Sequence, residues 1–142
     1  MIIKNQLIIL SVLSLIIAQA LKIVFGYFYT KKFDLNRLFE TGGMPSSHSA
    51  FIVSLAIGIG RINGFDSSIF ALAFVFASIV MYDAMGIRRA AGEHAKLLNL
   101  ILSKDNTFKL DNKKLKELLG HTPFEVLGGL ILGIIIGCLY PL

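Results

Sequence analysis

Hydrophobic residues in this chain are gathered into long runs separated by polar connections, and that segregation restricts the possible fold more than any other feature. Runs of roughly 17 to 25 residues are what a helix needs to cross about 30 Å of hydrocarbon. In hydrocarbon a backbone must satisfy its own hydrogen bonds, which for a single segment means a helix. The chain has 142 residues, 55% of them hydrophobic, and a mean hydropathy of +0.72, enough for one domain covering residues 1–142. The expected fold is therefore all-α: an integral membrane helical bundle of about four transmembrane helices with short interfacial helices. The runs at 5–29, 48–60 with its flanks, 67–86 and 123–142 supply the four spans, the second being the shortest. A secretory signal peptide is the competing reading of the N-terminus, since Lys4 precedes an apolar run and Ala18-Gln19-Ala20 resembles a cleavage site. Against it, the run continues to Tyr29, and cleavage would strand half a span.

Charge then orients the spans. Lys31, Lys32 and Arg37 follow the first span; Arg88, Arg89, Lys96, Lys104, Lys109, Lys113, Lys114 and Lys116 follow the third. Four spans place those two connections on one side, leaving Lys4 and Arg61 on the other. The positive-inside rule makes the basic side cytoplasmic and predicts a multi-pass protein of the cell membrane with both termini outside. The net charge of +5 lies beside the apolar runs, where phospholipid head groups are the nearest anions, so membrane lipids and not nucleic acid are the expected partners. Cys138, the single cysteine, can form no internal disulfide. Within the long connection, 90–104 either extends the third helix or lies along the interface with Leu97, Leu98, Ile101 and Leu102 on its apolar side. Asp111 is placed to cap a short helix in "NKKLKELL", and Gly120 to end it.

Polar residues at the ends of the spans need a reason to be there. In "GGMPSSHSAF" (42–51), Pro45 suits the first position of a helix and puts Ser46, Ser47 and His48 in the first turn of span two. Free amides there, with Gly42 and Gly43 allowing close approach, make a site for a phosphate-like anion; a serine-rich cap is the plainer alternative. His121 opens span four, and Glu125 stands four residues on, so a carboxylate can hold one imidazole nitrogen and leave the other as base or nucleophile. The plainer alternative is an interfacial histidine beside a snorkelling glutamate. Gly129, Gly133 and Gly137 continue that face as a ridge of small residues, and Ser46, Ala50, Ser54 and Gly58 form a similar row in span two. Packing of the two rows would bring His48 and His121 together; a homodimer is the other use of the ridge. Lys22 lies inside span one and either snorkels or serves the same surface. Asp83, Arg88 and Arg89 add a carboxylate and two phosphate-matching guanidiniums there, or mark topology only. Glu93-His94 lacks a third ligand at helical spacing, so no metal site is expected.

"PSSH" (45–48) resembles the P-S-G-H motif of the type 2 phosphatidic acid phosphatase superfamily, which also includes the vanadium haloperoxidases. "HTPFEVLGG" (121–129) resembles its third motif, a histidine followed four residues later by an aspartate. "AQALK", "GGMPSSHSA", "YDAMGIRRAAG" and "LLGHTPFEV" are similar to a divergent branch of short membrane proteins related to the acid phosphatases, and these blocks cover residues 18–126. The resemblance implies that His121 is the nucleophile toward phosphorus, that Glu125 orients it, and that His48 protonates the leaving alcohol and then activates water. It implies that Ser46, Ser47 and nearby amides, Gly43 included, hold the phosphoryl oxygens, and it requires no metal or cofactor. The superfamily's first motif, lysine followed seven residues on by Arg-Pro, is absent, and Leu115 stands where the third motif has arginine. Lys22, Arg88 and Arg89 are expected to supply those charges, with Asp83 as support.

A lipid phosphate phosphatase at the cytoplasmic leaflet is the function so implied. Phosphatidylglycerol phosphate is the favoured substrate, ahead of phosphatidic acid and polyprenyl (di)phosphates. A helical membrane scaffold or carrier subunit, using Lys22, Asp83 and Glu125 as intramembrane polar contacts, is the non-enzymatic alternative.

Overall fold

The computed structural model describes residues 5–31, 43–104, 115 and 120–142. All regular structure among them is helical: α1 (Gln6–Thr30), α2 (Ser47–Asn63), α3 (Ser68–Met85), α4 (Ile87–Lys104) and α5 (Pro123–Leu139). Side-chain caps set four of the starts. Asn5 accepts from the amides of Leu7 and Ile8, while Ser46, Ser67 and Thr122 each accept from the amide three residues on. Those amides have no partner inside the helix, and a side-chain oxygen supplies one. Pro45 does not occupy the first helical position as expected. Ser46 takes the N-cap, which requires a non-helical backbone, so Pro45 falls one residue before it and Ser47 opens the helix. Helix α2 takes in the expected run 48–60 and its flanks, and α5 ends earlier than expected, at Leu139, with Pro141 unable to continue it. The stretch 90–104 belongs to a separate helix. Gly86 donates to Tyr82 O to close α3, and its own carbonyl accepts from Ala90 to open α4. The short helix expected after Asp111 lies outside the described residues.

Central in the bundle is α2, which packs against α5, α1 and α3. Nine of its 17 residues are buried, against two of 18 in α3, and most of the nine are serine, alanine or glycine. Small side chains let helices approach until backbone meets side chain. A Cβ at Gly133 would stand 2.8 Å from Val53 Cβ and 2.9 Å from Ala50 O; one at Gly137 would stand 2.7 Å from Ile57 Cβ; one at Gly129 would strike Ser46 O. The glycine ridge of α5 thus faces α2 of the same chain. On the other side of α2, Ser14 Oγ donates to Ala50 O at 3.0 Å, and Gly58 admits Leu7 and Leu10 of α1.

Helices α1, α2, α3 and α5 run alternately up and down. At one end Arg61 donates to Gly137 O (2.8 Å) and Tyr140 O (2.7 Å), and Tyr140 Oη donates to Gln6 Oε1 (2.9 Å). That end gathers residue 6, the 63–68 turn and residue 140. Ser46, Met85 and His121 lie at the opposite end. Two helical stretches, Gln6–Phe28 and Ser68–Ile101, are long and apolar enough by composition to cross a membrane; α2 and α5 have 17 residues each. The outer face of α3 is apolar and uncovered: Leu72, Phe74 and Ile79 are 71%, 59% and 59% exposed.

Candidate active site

Two helix starts meet at the end of the bundle away from the chain ends. The amide of Ser46 donates to Glu125 O at 2.9 Å, and Gly129 seats against Ser46 O, so the first turns of α2 and α5 are joined through main chain. Each start carries a histidine. His48 is in the first turn of α2, and His121 immediately precedes the Thr122 cap of α5; their ring centroids are 6.1 Å apart. His121 is 3% exposed, with its amide donating to Ala84 O (2.9 Å) and its Nδ1 lying 3.2 Å from Glu125 Oε2. An ionised carboxylate only accepts, so Nδ1 is the donor across that contact. Nε2 is buried and makes no hydrogen bond.

Lys22 comes to the same place from α1. It is 4% exposed, and its Nζ donates to Ser47 Oγ at 3.4 Å. The side chain turns inward to the start of α2 and does not snorkel to the surface. Ser46 and Ser47, adjacent in sequence, sit in different settings. Ser46 Oγ is the cap oxygen and accepts from Ser49 N (3.3 Å) and Ser49 Oγ (3.0 Å), whereas Ser47 Oγ faces the lysine. Gly43, with a left-handed φ of 95°, passes beside Lys22, whose Cδ would be 3.9 Å from a Cβ there.

The arginines stand further out. Arg88 Nε pairs with Asp83 Oδ2 at 2.7 Å across the α3–α4 break. Arg89 is exposed, and its backbone forms the seat for Gly120, where a Cβ would strike it. Gly120 has φ 88°, so glycine suits both its backbone and its space. Among the described residues no three His, Cys, Asp or Glu side chains are grouped to hold a metal ion.

Some residues of this region are not flagged by residue chemistry. Thr122 forms a capping box with Glu125, and the Thr-x-x-Glu spacing is its sequence signal. Asn99 in α4 holds both polar groups of the Leu115 backbone, donating to its carbonyl (2.9 Å) and accepting from its amide (3.0 Å). Ala84 contributes only a carbonyl, for which sequence has no signal. The assembled groups are a buried imidazole with a held Nδ1, a second imidazole, a buried ammonium, a hydroxyl and two helix N-termini. Such a set can bind an anion and exchange a group and a proton with it.

The sequence model of a family described as the "Divergent PAP2 family" matches residues 3–136. The chain is 41% identical over 138 residues to a Bacillus subtilis (strain 168) protein, "Uncharacterized membrane protein YuiD", covering 89% of this chain and 87% of that one. No solved structure matches the chain.

Proposed function

The chain belongs to the divergent PAP2 family, and from that premise we propose that it is a membrane-embedded lipid phosphate phosphatase working at the cytoplasmic leaflet. The convergence of His48, His121 and Lys22 on the paired starts of α2 and α5 carries this reading. In the proposed reaction the phosphate monoester of a lipid lies between the two imidazoles, its oxygens on Lys22 Nζ, Ser47 Oγ and the amides at the α2 start. His121 Nε2 attacks phosphorus, forming a P–N bond as the P–O bond to the lipid breaks, and His48 gives its proton to the leaving alkoxide. His48 then takes a proton from water, whose oxygen attacks phosphorus and frees His121 and inorganic phosphate. Arg88, held by Asp83, lies near enough to act on the anion's charge, with Arg89 beside it. Ser46 serves through the helix start that it caps, and Gly43 leaves room beside the lysine.

Seating in the membrane is supported by the uncovered apolar surface of α3 and by the description of the Bacillus relative. In this arrangement α1, α2, α3 and α5 cross, and α4 lies at the cytoplasmic surface. A lipid brings its phosphate to that depth while its tails stay in hydrocarbon. Phosphatidylglycerol phosphate is the proposed substrate, because it is made on the basic, cytoplasmic side. The test is phosphate release by purified protein in bilayers from phosphatidylglycerol phosphate, phosphatidic acid and polyprenyl phosphates. Release is expected to vanish in His121→Ala and in His48→Ala, with both variants folded. Failure of the folded wild type to release phosphate from any of these lipids would discard the phosphatase in favour of a scaffold or carrier.

A further inference from the structure

One carboxylate at the start of α5 has two tasks. In a capping box the glutamate at the third helical position reaches back to the N-cap amide, and here Glu125 Oε2 accepts from Thr122 N–H at 2.9 Å. Thr122 Oγ1 in return accepts from Glu125 N–H at 3.4 Å. The same Oε2 lies 3.2 Å from Nδ1 of His121, the residue just before the cap. We propose that this capping box is the device that sets the tautomer and orientation of the His121 ring, with Thr122 as its positioning residue, and that position 125 is glutamate because of it.

Oε2 is placed by a main-chain N–H of the helix start, independently of the imidazole. His121's own amide is fixed on Ala84 O, so ring and carboxylate are each anchored through backbone before they meet. With two donors converging on one oxygen, the ring meets it through Nδ1–H, and in the neutral ring this leaves the lone pair on Nε2, the buried atom that makes no hydrogen bond. Aspartate would keep the charge but is one methylene too short to reach back to the N-cap amide, whereas glutamine keeps the reach. In Glu125→Gln the amide oxygen must face Thr122 N–H and therefore still accepts from Nδ1–H. The box thus gives an order that a simple negative charge reverses: Gln above Asp in tautomer and turnover.

The inference rests on the proposed phosphatase for its kinetic consequence only. In the full-length protein, isotope-labelled at the histidine ring nitrogens and reconstituted in phospholipid bilayers, solid-state NMR reports the tautomer, with His121→Asn assigning the signal. Thr122→Ala keeps the main-chain N–H but loses the Oγ1 acceptor that holds Glu125 N–H, and with it the first-turn register in which Oε2 meets that N–H. Wild type, Glu125→Gln and Thr122→Ser are therefore expected to hold the Nδ1–H form, while Glu125→Asp and Thr122→Ala populate both forms. For turnover of phosphatidylglycerol phosphate, kcat is expected to fall about 100-fold in Glu125→Asp and about 10-fold in Glu125→Gln and Thr122→Ala, with KM within about twofold. Thr122→Ser should restore it. Should Glu125→Asp not fold, the Thr122→Ala and Thr122→Ser pair decides alone. A wild-type tautomer in Thr122→Ala, or Glu125→Asp outperforming Glu125→Gln, overturns the proposal. A wild type that holds the expected tautomer but releases no phosphate leaves the capping box standing and removes the phosphatase.

Discussion

Lys22 shows most directly what a single side chain contributes. A lysine inside an apolar run normally extends its stem to put the ammonium in water. Here the ammonium turns to Ser47 at the α2 start, where amides without helical partners already concentrate partial positive charge. Cation and helix N-terminus favour the same kind of ligand, a phosphate. Replacing Lys22 with methionine is therefore expected to raise KM for the lipid phosphate about tenfold through loss of a charge-assisted contact. The kinetics of Lys22→Met check this, and an unchanged KM would make the lysine a structural residue.

At the scale of elements, the α2–α5 seam and the segment entering α5 hold the site together. Gly133 meets backbone and a β-branched side chain on α2, neither of which can move aside cheaply. Gly133→Ala should cost about 1–3 kcal/mol as overpacking. Gly128, one residue before the ridge begins, faces the flexible end of Met44 at 3.1 Å, and Gly128→Ala should stay within about 0.5 kcal/mol. Reversible unfolding in mixed detergent separates the two. Gly120→Ala combines a left-handed backbone with a clash against Arg89, costing about 1–3 kcal/mol and displacing His121, so turnover should fall along with the midpoint. The glycine spacing was legible as a ridge, because steps of four lie on one helical face; its partner was open between α2 and a second copy, since spacing carries no information about what packs opposite.

For the molecule as a whole, alternation of the helices puts residue 6, the 63–68 turn and residue 140 at one end and both histidines at the other. Combined with the basic residues that flank the histidine end, this predicts sidedness. In a Cys138→Ser background, Asp66→Cys should react with a membrane-impermeant maleimide on intact cells, and Lys96→Cys only after permeabilisation. The reverse pattern would invert the topology and move the proposed substrate to the outer leaflet.

Four of the helices, their approximate bounds and the polar side chains at the starts of α2 and α5 were legible in the sequence, because hydropathy, caps and side-chain type are local properties. The apolar run of α2 reads as the shortest in the sequence; α2 proves to be the central helix, and its serines and glycines lower its hydropathy because they face other helices. Packing in three dimensions turns Lys22 inward, sets Pro45 ahead of the cap, fills the glycine ridge with α2, and holds His121 by Ala84 O and the Thr122 capping box. Those outcomes depend on which surfaces meet. Contacts between α1, α2, α3 and α5 join residues far apart along the chain, and no local pattern encodes the direction in which a side chain or a carbonyl finds its partner.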